Sequence, residues 1–185
     1  MKSKEGKLLV AHPNLPKDNW FHKTVIYIYL DNEKDGTIGV TLNVATSLTI
    51  QKLCYGRGIL FPDSSKPVFK GGPVADKTVV MLHTAEWQST STAPAGPGYA
   101  ITSSDRMFED LAIGREPAYW RTFLGVSAWQ PGQLDLEMEG QYPYRSENSW
   151  LTCDANDSIM FDYNGEKQWE KALDLCSQQM IDYYF

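Results

Sequence analysis

A chain of 185 residues with 42% hydrophobic and 22% charged side chains can bury a core without metal or disulfide help, and is too apolar to be disordered. Its formal charge of −6 excludes a long-range field drawing it to nucleic acid or anionic lipid. The three cysteines, Cys54, Cys153 and Cys176, are odd in number and far apart, which argues against a disulfide framework or a zinc knuckle and for free buried thiols in a reducing compartment.

In chain order, residues 6–11 read as a short strand and "HPNLPKDNW" as a proline-rich loop. Leu8 to Ala11 is too short for a signal-peptide core, and no run reaches the roughly 18 apolar residues of a membrane helix. The expectation is a cytoplasmic protein with no membrane partner. "TVIYIYL" and "TIGVTLN", rich in β-branched and aromatic residues, flank the turn "DNEKDG" and predict a hairpin. The unbroken apolar run from Val25 predicts a strand covered on both faces, which asks for helices against the sheet.

From Ser47 the pattern predicts one or two helical turns with Leu48, Leu53 and Cys54 inward; "RGILFPDSSKP" reads as loop. Strand pattern resumes at Val68 and at "KTVVML", and "TAEWQSTSTAPAGPGYA" has the composition of a long surface loop. Ser103 or Ser104 predicts a cap for a helix with Asp105 in its first turn, Met107, Phe108 and Leu111 on its apolar face and Gly114 as its stop. "WRTFLGVSAW" predicts a strand, and Pro131 the first turn of a helix ending at Gly140. The segment Gln141–Asn148 reads as an exposed insertion, "SWLTC" as a strand, "SIMFD" as ambiguous. Trp169, Leu173, Cys176 and Met180 recur at helical spacing, predicting an amphipathic terminal helix. No linker or repeat divides residues 1–185, so one domain is expected.

The search for chemistry begins at "FKGGPVADK". A phosphate loop needs four variable residues between its first glycine and Gly-Lys-Ser/Thr, which Lys70-Gly71-Gly72-Pro73 does not supply. A bend is the simpler account, with Gly71 or Gly72 at positive φ and Pro73 fixing the exit. His83 closes a strand, where open α/β sheets place ligands; the plainer alternative is an imidazole that secures the following loop. His12, His22 and His83 lack metal-ligand spacing, so no metal and no cofactor is expected. No G-x-S-x-G occurs, and the scattered carboxylates decide nothing without geometry. In "AWQPGQLDLEM", Gln133 and Glu137 share one helical face while Leu134 and Met138 point to the core. Trp129 beside them, near a helix N-terminus with free amides, could frame a small anionic or polar ligand, or could simply be core, with Gln133 bracing a loop and Glu137 solvated. Arg115, Arg121 and Arg145 are scattered among the aromatics rather than interleaved with them, so direct nucleic-acid binding is not expected.

Several of these stretches, in order, resemble the YqgE/AlgH family (UPF0301, domain of unknown function DUF179). They are "GKLLVAHPNLPKDNWFHKTVIYI", "DGTIGVTLN" with Gly36, Gly39 and Asn43, and "GGPVADKTVVMLH". "ITSSDRMFEDLA" and "FLGVSAWQPGQLDLEM" follow, then Trp150-Leu151 and Trp169 with Ala172-Leu173. The chain departs from the family pattern at "LDNEKDG", where an acidic residue and a histidine usually follow the first long strand, and in its longer stretch between Glu137 and Trp150. The resemblance implies a single α/β domain with a bent, mixed, partly barrel-like sheet flanked by helices. It implies no catalytic machinery, and one branch carries the description of a transcriptional regulator. The expected function is that of a non-enzymatic regulatory or binding factor for an unidentified protein or small molecule. Its site would combine Gly71, Gly72, Pro73, His83, Trp129, Gln133 and Glu137, with the three motifs converging. The alternatives are a small hydrolase or transferase using His83 with a carboxylate, and a structural protein-interaction module.

Overall fold

The hairpin at the start of the chain sets the sheet. In the computed structural model, which describes residues 3–141, 143 and 149–184, β1 (Lys7–Ala11) pairs antiparallel with β2 (Val25–Asn32), and β2 with β3 (Gly36–Thr41). The turn is held by Asn32, whose Oδ1 accepts the N–H groups of Lys34 and Asp35, with Gly36 at φ 81° leading out. Val25 to Ile28 are buried on both faces, as their apolar run requires.

A second half-sheet follows: β4 (Ala45–Thr49), β5 (Pro67–Lys70), β6 (Val74–Thr84), β7 (Ala93–Pro94) and β8 (Tyr99–Thr102). β9 (Trp120–Trp129) joins the halves. Its last residues pair with β3, and its earlier ones with β6 and, in parallel, with β5. β10 (Trp150–Asp154) closes the row against β1. The result is a ten-stranded mixed sheet, antiparallel except at β5–β9, that curls about β9. The curl has a local cause: Gly125 takes φ 71° within β9, and β6 slips register between Val74 and Val79 opposite it.

The helices cover the two faces. α1 (Ile50–Gly56) and α2 (Arg106–Ala112) seal a cluster of Ile50, Cys54, Val79, Met81, Met107 and Phe108. α4 (Gly165–Tyr184) packs Trp169, Ala172 and Cys176 into the larger core with Leu8, Ile26 and Tyr27. α3 (Gln133–Met138) inserts Leu134 into that same core. Cys54, Cys153 and Cys176 are free and buried.

Several boundaries differ from the sequence reading. The supposed long loop after Thr84 contains β7 and the start of β8, because Ala93 and Pro94 pair with Ile101 and Ala100. β4 precedes α1, whose cap is Thr49: its side chain accepts the Lys52 N–H. α2 begins after Asp105, which gives no side-chain cap bond because its carboxylate pairs with Arg57. α3 starts at Gln133, after Gly132 turns the chain at φ 77°. "SIMFD" forms a π-helical turn, Ser158–Asp162. Met180 is 54% exposed, although Gln179 beside it still bonds the Asp154 backbone at the end of β10, so the apolar face does not stay covered to the end of α4. Apart from Gln141 and Pro143, the expected insertion lies outside the described residues.

Candidate functional site

The Gly71-Gly72-Pro73 bend is a place where backbone crosses backbone. Gly71 N–H donates to Leu124 O at 2.8 Å, while Gly71 O accepts from Thr41 N at 2.8 Å and Ser127 Oγ at 3.2 Å. A Cβ on Gly71 would lie 2.2 Å from Gly125 O, and one on Gly72 2.1 Å from the carbonyl of Val126. Neither glycine has positive φ, which corrects the expectation. They are needed because β9 leaves no room for a side chain. With its N–H committed to β9, Gly71 has none to offer a phosphate. Pro73 is exposed beside the buried pair.

Trp129, Gln133 and Glu137 form one connected cluster. α3 brings Glu137 one turn beyond Gln133, whose Nε2 donates to Glu137 Oε1 at 2.9 Å. Trp129 Nε1 donates to Glu137 Oε2 at 3.0 Å, and Trp150 Nε1 reaches the same oxygen at 3.4 Å. Gln133 Oε1 accepts the Gln130 N–H at 2.9 Å, bracing the turn into the helix. Trp129 is core at 4% exposure, and Gln133 is the expected loop brace. Glu137, however, is half-buried and hydrogen-bonded rather than solvated. Phe21 stacks on Trp129 at 5.9 Å and meets Trp150 edge-on, and Trp20 packs against Phe21 at 4.9 Å. Lys70 Nζ sits 5.2 Å from the Trp20 ring, which links the bend to the aromatic cluster.

His83 belongs elsewhere. It is fully buried and pairs across the ladder with Trp120, at the opposite end of β9 from Trp129. Trp120 and Trp129 stand nine positions apart along β9, at most roughly 30 Å when fully extended. Its Nδ1 lies 2.9 Å from Thr84 O, a carbonyl that can only accept, so Nδ1 carries the proton. Nε2 therefore accepts from the Thr102 hydroxyl at 3.0 Å. Thr102 in turn accepts from Thr92 at 2.7 Å, and Thr92 from the Ser89 N–H at 2.9 Å. Burial lowers the pKa of His83, opposed by the Thr84 carbonyl and by Glu86, and keeps the ring neutral near pH 7. Both ring nitrogens are thus engaged by neutral oxygens in a chain that secures the segment after β6.

The structure brings together two of the three expected motifs. Gly72 packs on Val126 and Ser127, two or three residues from Trp129, while His83 stands apart. The expected three-way convergence fails because β9 is long and pairs with β3 at one end and β6 at the other. Sequence reasoning missed Trp20, Phe21 and Trp150 as parts of the cluster, and it missed Arg121. Arg121 shares its β9 parity with buried Phe123, a period-2 signal that placed it inward. Among the described residues no group of three or more His, Cys, Asp or Glu is arranged to hold a metal ion. No described helix is long and apolar enough to cross a membrane.

The comparisons bear on the family and the fold. A UPF0301 protein of Hydrogenovibrio crunogenus is 33% identical over 177 residues, covering 94% of this chain and 89% of its own length. A UPF0301 protein of Aliivibrio fischeri is 33% identical over 178 residues, covering 92% and 90%. The solution structure of the AlgH protein from Pseudomonas aeruginosa superposes with a TM-score of 0.76 at 26% identity, covering 94% of this chain and 88% of that one. A crystal structure of a Corynebacterium diphtheriae protein shares the fold, with a TM-score of 0.69 at 21% identity over 93% and 86% of the two chains. The family model DUF179, described as AlgH-like, matches residues 8–181, and the chain belongs to that family.

Proposed function

We propose that this protein is a non-enzymatic, cytoplasmic regulatory or binding factor. It engages a protein or small molecule through the end of β9 where the Gly71-Gly72-Pro73 bend meets Trp129, Gln133 and Glu137. The observation that carries the reading is how the polar groups are used. The Glu137 carboxylate accepts from two indoles and an amide, which fixes an aromatic platform rather than poising a base. Aromatic rings with one polar edge bind well because they add large contact area for little lost freedom. Trp20 and Phe21, half-buried beside exposed Lys70, supply that edge.

The hydrolase or transferase alternative needs a carboxylate within hydrogen-bond reach of His83, whose nitrogens instead meet Thr84 and Thr102. As a regulator, the protein acts through a partner and not by gripping a duplex, given its net charge. Anisotropy titrations against DNA and RNA at low salt are expected to stay flat. The direct test is capture from native cell extract on the wild type and on a Trp20→Ala, Lys70→Glu variant. Proteins and small molecules are both identified by mass spectrometry. A species held by the wild type and lost with the variant is expected; identical retention by both would overturn the reading.

A further inference from the structure

At the other end of β9, beside the His83 pairing, lies a cavity of about 310 Å³ walled by Phe69, Tyr119, Trp120, Arg121 and Phe161, with Lys66 at its mouth. None of its lining residues is acidic. Arg121 is 8% exposed, and among the described residues no carboxylate lies within ion-pair distance of it. Its Nη1 donates to Leu42 O and Gln168 Oε1, and its Nη2 to Phe161 O and Tyr163 O, all neutral acceptors. Those four bonds use the terminal nitrogens and leave Nε–H. Burial pulls the guanidinium down to about 10, opposed by Asp162, so the group stays protonated at neutral pH. The Phe69 ring lies 4.2 Å from the guanidinium carbon and Asp162 acts on it from beyond ion-pair distance, so the cation has no direct carboxylate partner, and a buried charge lacking one is costly.

The mouth of the cavity supplies a second cation. Lys66 Nζ lies 4.1 Å from the Trp120 ring, and its contact with Glu116 is a long 4.0 Å between exposed groups, so the ammonium can turn to a ligand. The strand edge is open here as well. The parallel ladder with β5 stops at Phe69–Phe123, leaving the Trp120 edge of β9 unpaired on that side. Tyr119 and Phe161, stacked at 5.7 Å, complete a flat apolar wall.

We propose that this cavity binds a small organic anion, with its carboxylate or phosphate between Lys66 and Arg121 and a flat apolar body against Tyr119 and Phe161. The volume is at the lower end for small-molecule sites, which favours a single-ring ligand. A local pair of cations in a protein of net charge −6 gives the site its selectivity for anions over the rest of the surface.

The test follows the side-chain N–H signals of Arg121 Nε and Trp120 Nε1 by ¹⁵N NMR on the whole protein. Benzoate, phenyl phosphate and the neutral benzyl alcohol are titrated in parallel. Saturable shifts with either anion and none with the alcohol are expected; a response to benzoate alone, or to phenyl phosphate alone, identifies the headgroup. Lys66→Glu, at an exposed position, is expected to weaken binding about tenfold or more. Glu116→Gln removes the carboxylate near Lys66 and is expected to tighten it, read on Arg121 Nε because Glu116 also accepts from Trp120 Nε1 at 3.0 Å. No saturable shift with either anion up to about 10 mM, an equal response to the alcohol, or an unchanged affinity in Lys66→Glu would overturn the proposal.

Discussion

At the scale of single residues, the polar groups that looked like chemistry are occupied with structure, and that has measurable consequences. Glu137 presents two oxygens to three donors. Glu137→Gln replaces one oxygen with a donor, which must then face either an indole or the Gln133 amide. Gln133 cannot turn over without losing its bond to the Gln130 N–H. A loss of about 1–2 kcal/mol in urea unfolding is expected, the cost of one half-buried donor left unmet. A change within about 0.5 kcal/mol would mean that the cluster is not a lock. His83 gives a pH signature. Its folded pKa lies below the ordinary value near 6.5, so below that pH the unfolded chain binds more protons than the folded one. Its contribution is complete above pH 6.5 and is lost as pH falls toward the folded pKa. The stability gap between the wild type and His83→Gln should therefore narrow on acidification, by at most about 1.4 kcal/mol per pH unit. A gap that is flat from neutral to acid pH would contradict the neutral, buried ring.

At the scale of elements, the two kinds of glycine separate cleanly. A Cβ at Gly72 meets backbone at 2.1 Å, and backbone cannot rotate away as a side-chain tip can. Gly72→Ala should cost roughly 3 kcal/mol by forcing β5 and β9 apart. At Gly56, inside α1, a Cβ meets nothing within 4 Å and φ is not positive. Gly56→Ala should add about 0.5–1 kcal/mol by reducing unfolded-state freedom. Thermal unfolding of the pair checks both signs in one experiment, and a harmless Gly72→Ala would remove the close-approach account. The same contrast shows what was legible beforehand. The hairpin, β9 and α4 could be read because their apolar periods are long and local. The bend could be read as a bend, but the reason for its glycines could not, because the obstacle is a strand about fifty residues away in the chain. β7 and β8 were hidden for a related reason: two residues of Ala93-Pro94 carry no periodicity and pair with β8, which is itself placed by β6.

At the scale of the whole molecule, the candidate site was half legible. Gln133 and Glu137 announce their shared face by spacing alone, whereas the distance from Trp129 to His83 depends on which strands flank β9. Arg121 is the clearest case of information present but outweighed. Its parity within β9 pointed inward, and its charge argued for solvent. The fold resolves the conflict by surrounding it with acceptors from three separate parts of the chain: Leu42 after β3, Phe161 and Tyr163 at the end of the π-helical turn, and Gln168 of α4. Carbonyls at the end of a helical turn carry partial negative charge, which suits a guanidinium. One side chain thus fastens the terminal helix to the spine of the sheet. Arg121→Met removes the cation and leaves those oxygens without a donor, and should cost about 3–5 kcal/mol. Arg121→Lys should recover only part of it, because an ammonium cannot reach four acceptors spread across a planar fork. Hydrogen exchange separates this from a general loss of core packing: α4 amides should lose protection first in the lysine variant, while those of β2 and β3 keep theirs. If protection instead falls equally across α4 and the β2–β3 hairpin, Arg121 is a packing residue of the whole core and not the fastening of its last helix.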